Sequence, residues 1–489
     1  MNLFKLCFSN YQKNKLYCVI EKKTYHDLYL DINKYTQGLK ENNIKSGDNV
    51  AVRISSGYFY TVLLFSCLNI GATFIPLNPN SSKSTLNKTI KKTNPKLIIS
   101  ENVFNEYRNC VLLNNLSNSN QFIEKEFGKS ITGSILIFTS GSSGEPKGVK
   151  LSEKNLITNI SQISAVKPNI PMDTLGIIRP LEYASTITGE ILYSIYKKYS
   201  IVFCHDITNI NSIISSINKH KINMLSGTIS LLKLVAKSIN NIDSVASVKV
   251  INLNGEQINY NSCLEVEKKF PNAEILLGYG LTEASPRVTQ ARFSKVKCDN
   301  DNKINLTVGK ILSSIEFKIV NENYKEVKLK EKGELLIKGD NIINQYYKNS
   351  FNFSFKDGFL CTGDIFSIND LGYFYYHGRK DERINISGQK FYPKEVEEII
   401  KNFNFVEDVI VSNQTNDHIL TTLIKFNEEI NKINETKKLD LLKIYLANNL
   451  EGYKIPKRWI VVEELPMSDN FKKIRNGKRF IDYIERVVN

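Results

Sequence analysis

Thr139, Ser140, Gly141, Ser142, Ser143, Gly144 and Lys147 fall within nine consecutive positions, directly after the apolar, β-prone run Ile135–Phe138. Glycines let backbone N–H groups converge on an anion, hydroxyls add donors, and a lysine adds charge. That is the chemistry of holding a polyphosphate. The commoner phosphate loop needs glycine immediately before its lysine, and Pro146 occupies that place here. A plain serine–glycine turn is the competing reading of the four central residues. Ser152, a little further on, is a helix N-cap signal.

Other residues able to do chemistry recur in short segments. Asn254-Gly255-Glu256 follows the strand-like run Val248–Leu253, and Gly278-Tyr279-Gly280-Leu281-Thr282-Glu283 follows Glu274–Leu277. Thr362-Gly363-Asp364 precedes an aromatic run; Gly378-Arg379-Lys380-Asp381 leads towards Ser387-Gly388-Gln389; Leu465-Pro466 precedes Lys472. Taken singly, Thr-Gly-Asp is a turn and Gly-Tyr-Gly a strand end. Lys394-Glu395-Val396-Glu397-Glu398 reads as a solvated helix face with i,i+4 charge pairs.

These segments need a scaffold, and the hydrophobic pattern supplies one. Short strand signals at Asp48–Ile54, Gly71–Leu77, Lys96–Ser100, Ile201–Phe203 and Met224–Leu225 alternate with helical stretches such as Tyr60–Leu68. The rhythm predicts an α/β architecture with substantial parallel sheet. After about residue 305 the texture changes: Ile315–Val320 and Gly333–Gly339 alternate as strands of a smaller β subdomain would. A boundary near Gly378–Asp381 leaves a last stretch about right for a small α+β domain, with a helix from Pro393.

The totals bound the answer. At 489 residues, with 42% hydrophobic and 24% charged, the chain reads as a folded protein of two or more domains. No apolar run is long enough for a spanning helix, and the start is too weakly apolar for a secretory signal, so a cytoplasmic protein is expected. Eight scattered cysteines without a CxxC pair argue for reduced, mostly buried thiols. The net charge of +15 is spread and mixed with acids, which disfavours nucleic-acid binding and suits anionic ligands.

Joined in this order, the segments resemble the motifs of the adenylate-forming (AMP-binding) superfamily of acyl-CoA synthetases, peptide-synthetase adenylation domains and luciferases. Gly47-Asp48, Gly71-Ala72 and Pro76-Leu77-Asn78-Pro79 extend the likeness to the amino-terminal part, so it covers nearly the whole chain. The resemblance implies a large N-terminal AMP-binding domain (1–378) of αβ-layered subdomains plus a small β subdomain, a hinge (379–381), and a mobile C-terminal domain (382–489). It implies ATP, Mg²⁺ and a carboxylic acid as ligands, with CoA or the phosphopantetheine of an acyl or peptidyl carrier protein as thiol acceptor. The Thr139–Lys147 loop would cradle the β- and γ-phosphates. Gly255, Glu256 and Gln257 would form the adenine-side loop, Tyr279 and Gly280 would lie near the base, and Thr282 would meet the α-phosphate. Glu283 would hold Mg²⁺, Asp364 the ribose hydroxyls, and Arg379 ribose and phosphate.

The family's catalytic lysine maps to Lys472, with Lys473 the alternative if one residue is inserted. Asp381 would be the hinge, and Gly388 would leave room for the pantetheine arm. Tyr183, Ala184, Gly227 and Gly278 map to the acyl pocket. Ala184 stands where amino-acid-activating domains usually carry an aspartate for the substrate ammonium. Burying an ammonium without a partner is costly, so a non-amino acid is favoured, although Glu182 or Glu190 would offer a substitute carboxylate. A stand-alone amino-acid adenylating enzyme is the alternative reading. Arg287 is read as a surface arginine, with a second carboxylate on the substrate as its other possible partner.

Overall fold

The computed structural model describes the chain apart from residues 1–2, 103–105, 108, 117–132, 140–146, 169, 205–208, 297–305, 350–353, 387–388, 414–418, 428–433, 468–472, 476 and 489. The residues form two compact units. The first comprises Met1–Cys298, Val308–Glu316 and Ile337–Leu360; the second comprises Asp299–Thr307, Phe317–Leu336 and Cys361–Asn489. The predicted hinge residues 379–381 therefore fall inside the second unit.

In the first unit, short β-branched runs flanked by helices build two mostly parallel sheets, as the α/β rhythm predicts. One has nine strands and its central run is parallel: Glu274–Leu277, Val250–Leu253, Met224–Gly227, Thr174–Ile177 and Ser200–Phe203 lie side by side in that order. The other has six strands, with Asn49–Arg53 between Thr73–Pro76 and Leu97–Ser100. The helix Gly57–Ile70 is buried on nearly every side. It starts at the Ser56 cap and ends at Gly71, whose φ of +81° is a left-handed position that glycine tolerates.

The antiparallel pair Phe359–Ile368 and Phe374–Arg379 belongs to the second unit from Cys361 onward. That unit also contains a three-stranded sheet, Val406–Ser412, Thr421–Phe426 and Arg458–Val461, covered by the helix Pro393–Lys401. That helix overturns the solvated-face reading of Lys394–Glu398. Lys394 and Glu397 are buried, because Pro393, Val396, Glu397 and Ile400 share the face turned to the core. The expected i,i+4 pair is present, Lys394 to Glu398 at 3.4 Å.

Among the described residues no helix is long and apolar enough to cross a membrane. The described cysteines are free thiols, with Cys7, Cys18, Cys67, Cys204 and Cys263 buried.

Candidate functional site

Four neighbouring parallel strands of the first unit end at one edge, and their carboxyl ends carry the predicted adenine-side, base-side and metal-binding residues. Arg179 follows Thr174–Ile177, Gly227 closes Met224–Gly227, Asn254 to Gln257 follow Val250–Leu253, and Gly278 to Glu283 follow Glu274–Leu277. The crevice outside the carboxyl ends of such strands is where open α/β sheets bind ligands.

The phosphate-loop segment is a β-hairpin. Ser134–Thr139 pairs antiparallel with Lys147–Ser152, so Thr139 and Lys147 face each other where the strands meet the loop. Ser140 to Gly144 lie outside the described residues. Ser152 is the N-cap of Glu153–Val166 and completes a capping box with Asn155. Lys147 Nζ sits 5.5 Å from the centre of the Tyr346 ring, and the Tyr346 hydroxyl donates to Glu283 Oε1 at 2.8 Å. One phenol thus contacts both the loop lysine and the carboxylate expected to hold a metal. Ile343 N–H donates to Glu283 O at 2.9 Å, and the Asn341 amide donates to Ala284 O at 2.9 Å, which seats the 341–346 segment against Thr282–Ala284. Tyr346 was missed in the sequence, where it lies 63 positions from its carboxylate partner and outside every glycine-bearing segment.

Gly280 is held close to the next turn: a Cβ there would lie 2.0 Å from Pro286 O, so no side chain fits. Tyr279 is fixed by its backbone, its C=O accepting from Val288 N–H at 3.0 Å. Gly255 has φ +83°, a left-handed turn directly before Glu256. The Glu256 carboxylate accepts from the Ser230 N–H at 3.1 Å and its hydroxyl at 2.7 Å, which ties the predicted adenine-side loop to the start of helix Ile229–Lys237.

Around the predicted acyl pocket the structure places a buried charge cluster. Tyr183 caps a short helix from Ala184 that runs into a π-helical turn, Ile187–Leu192, a distortion frequent at functional sites. Glu190 on that turn is fully buried and takes both Nε (2.9 Å) and Nη2 of Arg179; Arg179 Nη1 donates to Asn254 Oδ1 at 2.9 Å. Glu190 is therefore committed to a guanidinium, while Glu182 accepts from the Asn78 amide at 2.5 Å. The expected surface arginine is a correction: Arg287 is 5% exposed. Burial, then the neighbouring Arg179, pull its guanidinium down to about 10 against the opposing field of Glu190. Burial, then Arg287, also depress Lys167, whose Nζ lies 4.3 Å from the centre of the Tyr193 ring. A Cβ at Gly278 would lie 2.3 Å from Arg287 Nη1, and one at Gly227 2.1 Å from Leu232 Cδ2, so both pocket glycines make room for a neighbour.

In the second unit, Gly363 has φ +70° and kinks its strand immediately before buried Asp364. Asp364 accepts from Arg379 Nη1 at 3.2 Å, so two predicted nucleotide-binding residues meet. Asp381 is exposed in the short turn Lys380–Glu382 and accepts from Arg379 Nε at 3.4 Å. Lys472 and Gly388 lie outside the described residues. Lys473, the alternative lysine, has a side chain only 6% exposed and bonds Asp408 Oδ1 at 2.5 Å and Val409 O at 3.0 Å. Burial and then Lys401 lower it to about 8, despite the pull of Asp408.

Comparison with known proteins finds relatives over nearly the whole chain. The 4-coumarate–CoA ligase of Vanilla planifolia is 24% identical, over 98% of this chain and 93% of its own length. The 2-succinylbenzoate–CoA ligase of Bacillus pumilus (strain SAFR-032) is 26% identical, over 94% of each chain. The crystal structure of ATP-bound MatB from Rhodopseudomonas palustris superposes with a TM-score of 0.84 at 20% identity, covering 97% of both chains, and so shares the fold. Residues 9–347 match the sequence profile of the AMP-binding enzymes, and the chain belongs to that family.

Proposed function

We propose that the protein is an AMP-forming acid–thiol ligase that joins a carboxylic acid to CoA. The observation carrying this reading is the placement of Lys147 and Glu283 on the single side chain of Tyr346. A cation for phosphate oxygens beside a hard oxygen donor for a divalent ion suits a metal–polyphosphate. The donor set therefore fits MgATP. When bound, Mg²⁺ supplies charge neutralisation on the phosphate oxygens.

In the first step a substrate carboxylate oxygen bonds the α-phosphorus of ATP while the α–β bridging bond breaks and pyrophosphate leaves. No protein nucleophile is needed, so the chain's own groups act by positioning and by meeting charge. Lys147 holds the outer phosphates, Thr282 an α-phosphate oxygen, and Asp364 with Arg379 the ribose side. Lys472 bridges the carboxylate and the α-phosphate. In the second step the CoA sulfur attacks the acyl carbonyl, the bond to AMP breaks, and AMP departs. The names of the CoA-ligase relatives support CoA as acceptor. The arginines around the acyl side disfavour an ammonium-bearing substrate.

The test is pyrophosphate release, AMP formation and thioester formation with ATP, CoA and a panel of fatty, aryl, dicarboxylic and amino acids. AMP and thioester are expected in equal amounts. Release of ADP and phosphate, or turnover with amino acids alone, would overturn the reading.

A further inference from the structure

Arg287 is a buried cation whose Nη1 has no hydrogen-bond partner. The arginine is not needed to hold its loop, because that task falls to the backbone: Arg287 N–H donates to Asn159 Oδ1 at 3.1 Å and Arg287 O accepts from Asn159 Nδ2 at 2.9 Å. The guanidinium lies in the space that a side chain at Gly278 would fill. Gly278 is hydrogen-bonded to the strand that ends in Asn254, its N–H donating to Leu253 O at 3.0 Å. Asn254 Nδ2 is a second buried donor without an acceptor, its Oδ1 being taken by Arg179. Glu190 is hydrogen-bonded to Arg179 through Oε1, while Arg287 feels its field without a hydrogen bond between them and Glu190 Oε2 stays unpartnered. Positive charge thus exceeds negative at this strand edge, with Arg179, Arg287 and Lys167 set against Glu190, and leaving buried charge uncompensated costs a folded protein stability that an anionic ligand would restore.

We infer that Arg287, with Asn254 at the end of the adjoining strand as a further donor, is the counter-site for a second carboxylate on the acid substrate, so that the preferred substrate is a dicarboxylic acid. The inference rests on the acid-activating reading above and specifies its substrate class. One carboxylate is activated by ATP; the other remains an anion, held by the guanidinium. No covalent change occurs at Arg287, which acts on selectivity alone.

The test compares short aliphatic and aryl dicarboxylic acids with their own monomethyl esters. Two readouts are used: pyrophosphate release, and thermal stabilisation by the acid in the absence of ATP. The wild type should favour each preferred diacid over its half-ester by about 100-fold or more in kcat/KM. Arg287→Met should collapse that ratio to within several-fold and remove the diacid-dependent thermal shift, while its ligand-free melting temperature stays at or above wild type. Gly278→Ala, which displaces the guanidinium without removing charge, should reduce the ratio in the same direction. Equal use of diacids and half-esters, unmoved by Arg287→Met, would overturn the inference and leave the ligase reading standing. A drop in the ligand-free melting temperature of Arg287→Met with an unchanged ratio would likewise make the arginine purely structural. Pyrophosphate release from no acid, with Arg287-dependent stabilisation by diacids retained, would sink the ligase reading and keep the dicarboxylate site.

Discussion

Two groups of buried charges, one in each unit, can be set side by side. Around Arg475 the charges have partners: Glu397 takes Nη2 and Nε of Arg475 at 2.7 and 3.2 Å and the Val411 N–H at 2.8 Å, and Asp408 takes Lys473 and Lys401 at 2.5 and 2.7 Å. Around Arg287, a guanidinium nitrogen and the Oε2 of Glu190 have none. The carboxylates divide the same way, although Lys473 in the first group is itself lowered to about 8 by burial and then Lys401. Burial alone would raise Glu397 and Asp408, yet Arg475 holds the first and the two lysines hold the second below the ordinary carboxylate range. Glu190 is raised, burial outweighing Arg179. A compensated cluster is a structural joint, whereas buried charge without a partner in a crevice is a candidate for ligand binding.

That contrast can be broken most forcefully at Glu397. Glu397→Gln strands Arg475 and should cost about 3–5 kcal/mol in urea unfolding, unlike Arg287→Met, which should cost nothing. Because the folded-state pKa of Glu397 is depressed, its contribution is present above the unfolded value and lost as pH falls towards the folded one. An equal loss in both variants would erase the distinction.

The next largest effect separates the adjacent lysines. Lys472→Ala should slow adenylation by about 10²–10³-fold with little change in urea midpoint. Lys473→Ala should lower the midpoint while the folded enzyme keeps most of its adenylation rate. The reverse pattern would move the catalytic role to Lys473.

Tyr346→Phe keeps the ring beneath Lys147 and removes the hydroxyl's bond to Glu283. It should raise the KM for MgATP by about tenfold, roughly 1.4 kcal/mol, with a smaller change in kcat. An unchanged KM would detach Tyr346 from the nucleotide.

A further effect, confined to acid pH, concerns a base the second unit keeps neutral. Burial, then Lys394 and Lys332, push His377 down to about 3, and it shares a 2.8 Å hydrogen bond with Ser367 Oγ. The unfolded chain binds that proton at higher pH, so stability is fully present above about 6.5 and declines as pH falls towards 3. His377→Gln should flatten this part of the acid limb, read as the urea midpoint at pH 7.5 against pH 4.5. An identical slope in both proteins would place the acid sensitivity elsewhere.

Much of the scaffold was legible because local pattern dictates it. Glu274–Leu277, Ile315–Val320 and Gly333–Gly339 are strands at the bounds their residues suggested, and Ser152 is the cap its position implied. The glycine-bearing segments after strands were legible for the same reason. What escaped depends on contacts between distant positions. Tyr346 meets Glu283 only through a fold-level return of the chain, and nothing near Arg287 announces that Asn159 draws its turn inward. Glu397 was misread although a signal existed: it shares the i, i+3, i+4, i+7 face with Pro393, Val396 and Ile400, and a carboxylate there must be buried.

The clamp of Asn159 on both backbone groups of residue 287 also bears on how such an enzyme changes over time. Since the loop keeps its path through main-chain contacts, a single codon at 287 can exchange a charged tip for a neutral one without refolding the neighbourhood. Acid preference would then be able to drift, or be engineered, independently of the machinery that activates the acid.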